Sequence, residues 1–294
     1  MAATKARAKG GKAAAAATER RVMRVIERST IELDAALNTA QLLTFDAMEV
    51  AGAERLALLG KALEQSPLCA DAWGILASEV PAGSAFALEL WRQAVAAGEV
   101  ALGPWRMAEY AGEFWGLVET RPYMRARQGL AMELRRQGQV AEAIDMLRGT
   151  LALNPNDNQG IRYILLDWLL EAGADTEAKA LHDAYAEDGS AAWHYAAVLL
   201  AFRQSGDGPA AAAALRAALA NNPHVPGLLL GRVAAPAEEP EYYSPGEPSE
   251  AVVYWETAAA GWQAAPGALE WLARAVPEEV AAAPKPKPRR KPKA

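Results

Sequence analysis

The residues of this chain best suited to acid–base, nucleophilic or metal chemistry are three histidines, His182, His194 and His224, and a single cysteine, Cys69. Their spacing argues against each use. No histidine falls in an H-E-x-x-H or comparable metal-ligand pattern. His182 precedes Asp183 on a stretch that reads as the second helix of a repeat, where a packing or solvent-facing role is expected. His224 follows Pro223 in a turn, where its ring is expected to bond backbone groups. Cys69 can form no intramolecular disulfide, and no neighbour makes it a metal ligand, so it reads as a small interface residue in a reducing compartment. Neither G-x-S-x-G, a Walker A loop nor G-x-G-x-x-G occurs. The sequence therefore assigns no catalytic, cofactor-binding or metal-binding residue, and a protein that is not an enzyme is expected. An enzyme would have to be assembled from scattered residues.

One polar run invites a functional reading, Asn154-Pro-Asn-Asp-Asn-Gln159, because amides and a carboxylate cluster there. It lies between two repeats, where Asn and Asp close turns and cap the following helix, and that structural role is the expectation.

The elements that position these residues follow from a period of 34. Leu147, Leu181 and Leu215 are separated by that step, as are Thr150, Ala184 and Ala218, and Pro155 and Pro223 stand two steps apart. The step belongs to the tetratricopeptide repeat, a helix-turn-helix unit. With Met124 as position 1, Leu130, Ala131, Leu134, Gly138, Ala143, Leu147, Thr150 and Pro155 occupy positions 7, 8, 11, 15, 20, 24, 27 and 32. Positions 8, 20 and 27 must be small because two antiparallel helices cross closely there, and the bulky positions fill the space around them. Residues 158–191 keep Ile164, Leu165, Trp168, Leu181 and Ala184 in place, but Glu177 stands at position 20 with Ala178 one place late. That predicts an offset second helix. Residues 192–225 return to the pattern with Val198, Phe202, Gly206, Ala211, Leu215, Ala218 and Pro223.

Upstream, Ala70 opens a unit with Trp73, Leu76 and Ala77, and Ala87, Trp91 and Ala94 follow two residues early. Leu59, Ala62 and Pro67 fit the end of a unit beginning near residue 36. The aromatic stretch Leu102 to Arg121, with Trp105, Tyr110, Phe114 and Trp115, is expected to fill a joint between sub-blocks. Downstream, Pro226 to Val233 reads as a first helix, Ala234 to Pro248 as a Pro/Glu-rich loop, Ser249 as the N-cap of a helix through Trp262, and Gly267 to Ala275 as a closing helix. The expectation is an all-α, tetratricopeptide-like helical-repeat solenoid of antiparallel helix pairs over residues 19–276. Its C-terminal helices would cap the array.

Composition agrees. The hydrophobic fraction is 52% with only 7% aromatics and is carried largely by Ala and Leu, the best helix formers. No apolar run reaches the length of a signal-peptide core or a membrane span, so a soluble cytoplasmic protein without a membrane role is expected. The net charge of −6 is unevenly placed. Lys5, Arg7, Lys9 and Lys12 stand without an acid in residues 1–18, and Lys285, Lys287, Arg289, Arg290, Lys291 and Lys293 do so in residues 284–294. An acidic body thus wears two basic tails, 1–18 and 277–294, neither with the composition to fold alone. They are read either as solubilising segments or as attachment to nucleic acid or another polyanion. No aromatic interleaves the tail charges to stack bases.

Helix phase defines a candidate binding face. In tetratricopeptide arrays, positions 2, 5, 9, 12 and 13 of each first helix line the concave side. Here they are Arg125, Gln128, Met132, Arg135 and Arg136, then Gln159, Arg162, Leu166, Leu169 and Leu170, then Trp193, Ala196, Leu200, Arg203 and Gln204. Arginines beside apolar residues suit a peptide with apolar anchors and carboxylates. An exposed Trp193 would serve as an anchor. The competing reading has the apolar positions packing against neighbouring helices and leaves a solvated arginine fringe. The Lys/Asn set of chaperone-tail carboxylate clamps is absent.

Several segments go beyond a generic repeat: Glu119-Thr-Arg-Pro-Tyr-Met-Arg-Ala-Arg127, Leu153-Asn-Pro-Asn-Asp-Asn-Gln-Gly-Ile-Arg-Tyr163, Asn222-Pro-His-Val-Pro226 with Leu229-Leu-Gly231, Ser249-Glu-Ala251 and Pro266-Gly-Ala-Leu269. Over about Leu68 to Leu272 the chain resembles the tetratricopeptide-like proteins of the suppressor-of-tumorigenicity-seven family and its bacterial relatives. The resemblance implies an α-helical repeat fold and a role in interaction or regulation, and it supplies no catalytic residue. Animal members are similar in this region but carry membrane segments, which this chain lacks. The functional expectation is a non-catalytic scaffold or adaptor that binds a peptide or protein segment in the groove. The alternative is a nucleic-acid- or polyanion-associated protein acting through its tails. The sequence leaves the oligomeric state open.

Overall fold

The computed structural model describes residues 33–238 and 240–277, and all regular structure among them is helical. The expected basic tails, apart from Pro277, and residues 19–32 lie outside the described residues. No helix among those described is long and apolar enough to cross a membrane.

The chain divides into two compact units at Gln159/Gly160. The first contains α1 (residues 33–48), α2 (Gly52–Gln65), α3 (Ala70–Ser78), α4 (Ala85–Glu109), two short 3-10 turns (Phe114–Gly116 and Val118–Thr120), α5 (Arg121–Arg136) and α6 (Val140–Leu153). The second contains α7 (Ile161–Glu171), α8 (Asp175–Ala184), α9 (Ala191–Ser205), α10 (Pro209–Asn221), α11 (Val225–Leu229), α12 (Pro248–Gln263) and α13 (Ala268–Ala275). Helices adjacent in sequence pack on one another, most extensively α9 with α10, α3 with α4, and α5 with both α4 and α6.

The 34-residue step accounts for the pairing. In α5 and α6 the side chains of Ala131, Leu134, Ala143, Leu147 and Thr150 are all fully buried. Thr150 is a polar group at a small position, and burying it without partners would be costly. Its hydroxyl donates to the Met146 carbonyl at 2.7 Å and accepts from Arg127 Nε at 2.9 Å. Gly138 ends α5 in the left-handed region (φ 75°), and Gln139 N–H donates back to the Leu134 carbonyl at 2.9 Å, the wrapped closure that favours glycine. The next unit repeats this turn one residue later. Gly173 has φ 70°, and Ala174 N–H donates to Leu169 O at 2.9 Å. That single extra residue carries the small position from Glu177 to Ala178, which is fully buried, as the sequence offset predicts. Ala211 and Ala218 are again fully buried in α10.

Two local expectations are corrected, and the aromatic joint departs from expectation at Trp105. α4 is two helical segments in one: Gly103 (φ 68°, ψ 167°) breaks the ladder and Pro104 restarts it. Beyond this kink Leu102, Phe114, Tyr123 and Met124 form a core cluster, whereas Trp105 is 67% exposed. The expected first helix from Pro226 to Val233 stops at Leu229, because Gly231 (φ 63°) turns the chain and Arg232 N–H donates back to Gly227 O. α12 begins earlier than expected. Pro248 takes the first helical turn and Glu247, not Ser249, is the N-cap; the Ser249 hydroxyl accepts from Ser244 N–H instead.

α12 has a placement that the period does not contain. It packs on α7 and α9 as well as on α11, so it lies across successive first helices of the second unit. Its anchors Tyr254 and Trp262 are buried, and Trp262 Nε1 donates to the Tyr254 hydroxyl at 2.7 Å.

Candidate functional site

In the first unit, the first helices α1, α3 and α5 are joined by a polar ladder. Asp71 on α3 is almost wholly buried. Its carboxylate accepts from Arg125 Nε at 2.9 Å, from Arg125 NH2 at 2.5 Å and from Gln41 Nε2 at 2.9 Å. Such a fork-on-carboxylate pair fixes both groups. The Arg125 side chain nevertheless keeps 41% of its surface exposed, so one edge of the guanidinium faces outward from the ladder. A second rung continues it, with Gln159 Nε2 donating to Gln128 Oε1 at 2.7 Å and to the Met124 carbonyl at 3.3 Å. At the end of α5, Arg136 is half-exposed and pairs with Glu133, whose buried carboxylate also accepts from Gly83 N–H at 2.7 Å. Met132 is partly exposed on α5.

Beside the ladder stand apolar groups. Phe45 and Met48 follow Gln41 by one and two turns of α1, so they continue its side of the helix, and they are 47% and 46% exposed. Leu42 and Leu56 are exposed on α1 and α2 as well. The first-helix side of this unit therefore combines partly exposed arginines with thioether and phenyl surface.

The second unit treats the equivalent positions differently. Leu166, Leu169 and Leu170 are buried, and Ala196 with them. α12 covers this side: a Cβ on its Gly261 would stand 3.4 Å from Leu170 Cβ, and Arg203 NH2 donates to the Gly261 carbonyl at 2.8 Å. Arg203 also bonds Asp175 and the Leu170 carbonyl, each at 2.7 Å, and is only 11% exposed. It holds a helix end and a neighbour together, where phase alone places it on an open groove.

Trp193 is the clearest correction. The sequence offers it as an exposed anchor, but the side chain is 2% exposed. Its ring stacks on His182 at 5.9 Å and meets Tyr163 and Tyr185 edge-on. Trp193 Nε1 donates to the His182 carbonyl at 3.1 Å, and His182 Nε2 lies 3.1 Å from the Trp193 carbonyl. The Arg162 guanidinium sits over Tyr163, Tyr185 and Trp193 at 4.3, 5.3 and 5.7 Å and bonds Asp188 at 2.7 Å. Arg162 and Trp193 meet inside a closed cation–aromatic cluster and not on an open face. Burial pushes the Asp188 carboxyl up, and the bonds from Ser190, Tyr163 and Arg162 outweigh it, so its pKa falls to about 2. Burial and the bond to Asp188 raise the Tyr163 phenol to about 12.

Two adjoining depressions remain open in the second unit. One, of about 600 Å³, lies between α8 and α9, with Ala180, Ala197, Leu200 and Ala201 as apolar lining and Lys179, His182, Asp183 and Gln204 as polar lining. The other, of about 470 Å³, is lined by Phe202, Arg203, Gly206 and the 264–266 turn. Among the described residues no group of three or more His, Cys, Asp or Glu stands close enough together to hold a metal ion.

The polar run at the unit boundary has a structural use. Asn154 Oδ1 accepts from Trp115 N–H at 3.2 Å, and Asp157 (φ 49°) closes a turn by donating its N–H to Asn154 O. The α7 N-cap is Gly160, with no side-chain cap bond. Sequence reasoning missed Gln41, Asp71, Phe45 and Met48. Asp71 was legible: it holds position 2 of its unit, the position of Arg125 in the later one. The α1 residues lie in the unit that begins near residue 36, of which the pattern marks only the second-helix end, at Leu59, Ala62 and Pro67.

Comparison with known proteins adds the following. A family model described as ST7 protein matches residues 29–291. Suppressor of tumorigenicity 7 protein of Macaca fascicularis is 30% identical over 230 residues, covering 70% of this chain and 42% of that protein. The proteins of the same name from Rattus norvegicus and Mus musculus are also 30% identical over 230 residues, and 39% of each is covered. The chain thus spans about two fifths of the length of these curated relatives. No solved structure matches the chain.

Proposed function

The chain belongs to the ST7 protein family, and we propose that it acts as a non-catalytic interaction scaffold that presents the first-helix side of its first unit to a protein or peptide segment. The observation that carries this reading is the Gln41–Asp71–Arg125 ladder with Phe45 and Met48 beside it. A binding surface profits from charged groups held in place before the partner arrives, because less side-chain entropy is then lost on association. Arg125 is held by Asp71 while its outer edge stays available, and the exposed phenyl and thioether groups supply apolar contact. In the second unit the corresponding side is covered by α12, so the proposed surface is confined to the first.

Replacing Phe45 and Met132 with Glu tests the assignment, since neither side chain is fully buried and neither belongs to the ladder. The double variant is expected to keep its helical circular dichroism and to lose at least one polypeptide that the unaltered chain retains from extracts of its native cell. Retention of the same set by both proteins would count against the surface. Replacing Arg125 would be a poorer test, because it leaves the buried Asp71 without its cation.

A further inference from the structure

We propose that the basic Pro/Lys segment 284–294 docks in cis on the acidic tyrosine loop between α11 and α12. The loop is pinned at both ends. At its start, Arg232 and Val233 N–H groups donate to the Gly227 carbonyl at 2.9 and 3.0 Å. At its end, Gly246 N–H donates to the buried Glu250 carboxylate at 2.7 Å, and Asn222 Nδ2 donates to the Glu247 carbonyl at 3.1 Å. Between these anchors Tyr242 and Tyr243 stand 82% and 58% exposed. Glu238, Glu241 and Glu247 are exposed too and have no ion-pair partner among the described residues. Two aromatic rings and unpaired carboxylates are thus held at the surface of the second unit with nothing described against them.

The last described residues stand next to the start of this loop. Arg232, at the loop's start, donates from NH1 to the Val276 carbonyl at 2.8 Å and from NH2 to the Ala273 carbonyl at 3.0 Å. The last turn of α13 is therefore fastened to the residue from which the loop departs. From Pro277 the chain reaches roughly 27 Å to Lys285 and roughly 50 Å to Lys293 if extended. Tyr243 is at most about 37 Å of extended chain from Arg232, so the tail spans the loop.

The chemistry of the two segments is complementary. Pro284, Pro286, Pro288 and Pro292 favour the extended polyproline conformation, whose rings pack on aromatic side chains. The intervening Lys285, Lys287, Arg289, Arg290 and Lys291 supply cations for Glu238, Glu241 and Glu247. Each exposed pair contributes little alone. A short tether, however, gives millimolar effective concentration, so weak contacts suffice for occupancy. Docking would also sequester the cations that would otherwise attract polyanions.

The test uses the full chain labelled with 3-fluorotyrosine and carrying a nitroxide on Ala294→Cys, Cys69 being buried. The fluorine signals of Tyr242 and Tyr243, assigned by Tyr→Phe substitution, are expected to relax at least about threefold faster than that of buried Tyr195 in low salt. They should recover in 1 M salt, where the screening length falls to about 3 Å. Glu238→Lys with Glu241→Lys should abolish the effect in low salt. Three results would overturn the proposal: equal relaxation of all three tyrosines, enhancement indifferent to salt and charge reversal, or enhancement that arises only between nitroxide-bearing and fluorine-bearing chains mixed in one sample.

Discussion

Arg162 concentrates the lesson of the residue scale. By type and phase it is a groove cation. By contact it is the centre of a cluster in which three aromatic rings and Asp188 satisfy its guanidinium. Removing one partner of such a buried pair strands the other. Asp188→Asn is therefore expected to lower unfolding free energy by about 2–4 kcal/mol at pH 7, read by urea titration; a change under 0.5 kcal/mol would refute the cluster's role. Because the Asp188 pKa is lowered to about 2 on folding, its contribution is present above about pH 4 and is lost as pH falls toward 2. Asp167 has the opposite sign. Burial raises its pKa to about 7, opposed by a bond from Thr257 and aided by Glu171. Folding then favours the protonated form, so its contribution is full below about pH 4 and declines as pH rises to 7. Asp167→Asn should remove this decline, making the variant more resistant to urea than the parent at pH 8 relative to pH 5. The same relative stability at both values would contradict it.

At the scale of elements, the close approaches that the repeat demands can be tested one methyl group at a time. A Cβ on Gly129 of α5 would lie 2.2 Å from the Trp91 ring of α4, so Gly129→Ala must displace a packed indole. The expected loss is about 1–3 kcal/mol. Gly60 of α2 has helical backbone, and a Cβ there would meet nothing within 4 Å, so Gly60→Ala should gain about 0.5–1 kcal/mol by helix propensity alone. Urea midpoints moving in the same direction for both would contradict the packing described. These positions also show what is legible in the sequence. Ala131, Ala143, Thr150, Ala211 and Ala218 are readable as buried because their role depends on a partner helix next in the chain. The extra residue at the α7–α8 turn is readable from Glu177 and Ala178. The kink at Gly103-Pro104 escapes the sequence reading, although both residues are helix breakers, because the aromatic stretch around it points toward packing. α12 is legible as a helix, but its seat on α7 and α9 is not, since the phase of a first helix says which way a side chain points and not what a later segment lays over it. Phase misplaces Leu170 and Arg203 for that reason, whereas Trp193 is closed in by His182, Tyr163 and Tyr185 of its own neighbouring helices and turns.

At the scale of the whole molecule, the chain is an all-α helical-repeat protein of the ST7 family in two compact units, each with its own use of the first-helix side. In the second unit α12 occupies that side; in the first, a buried carboxylate holds an outward-facing arginine among exposed apolar groups. The central claim is that this side of the first unit is where another polypeptide binds. The most direct test places a photocrosslinking benzoylphenylalanine at Met132 on α5, or at the exposed Glu142 on α6 as a control, in the full chain expressed in its native cell. The account predicts a discrete adduct with another polypeptide from position 132 and not from 142. Adducts of the same pattern from both positions, or from 142 alone, would contradict it.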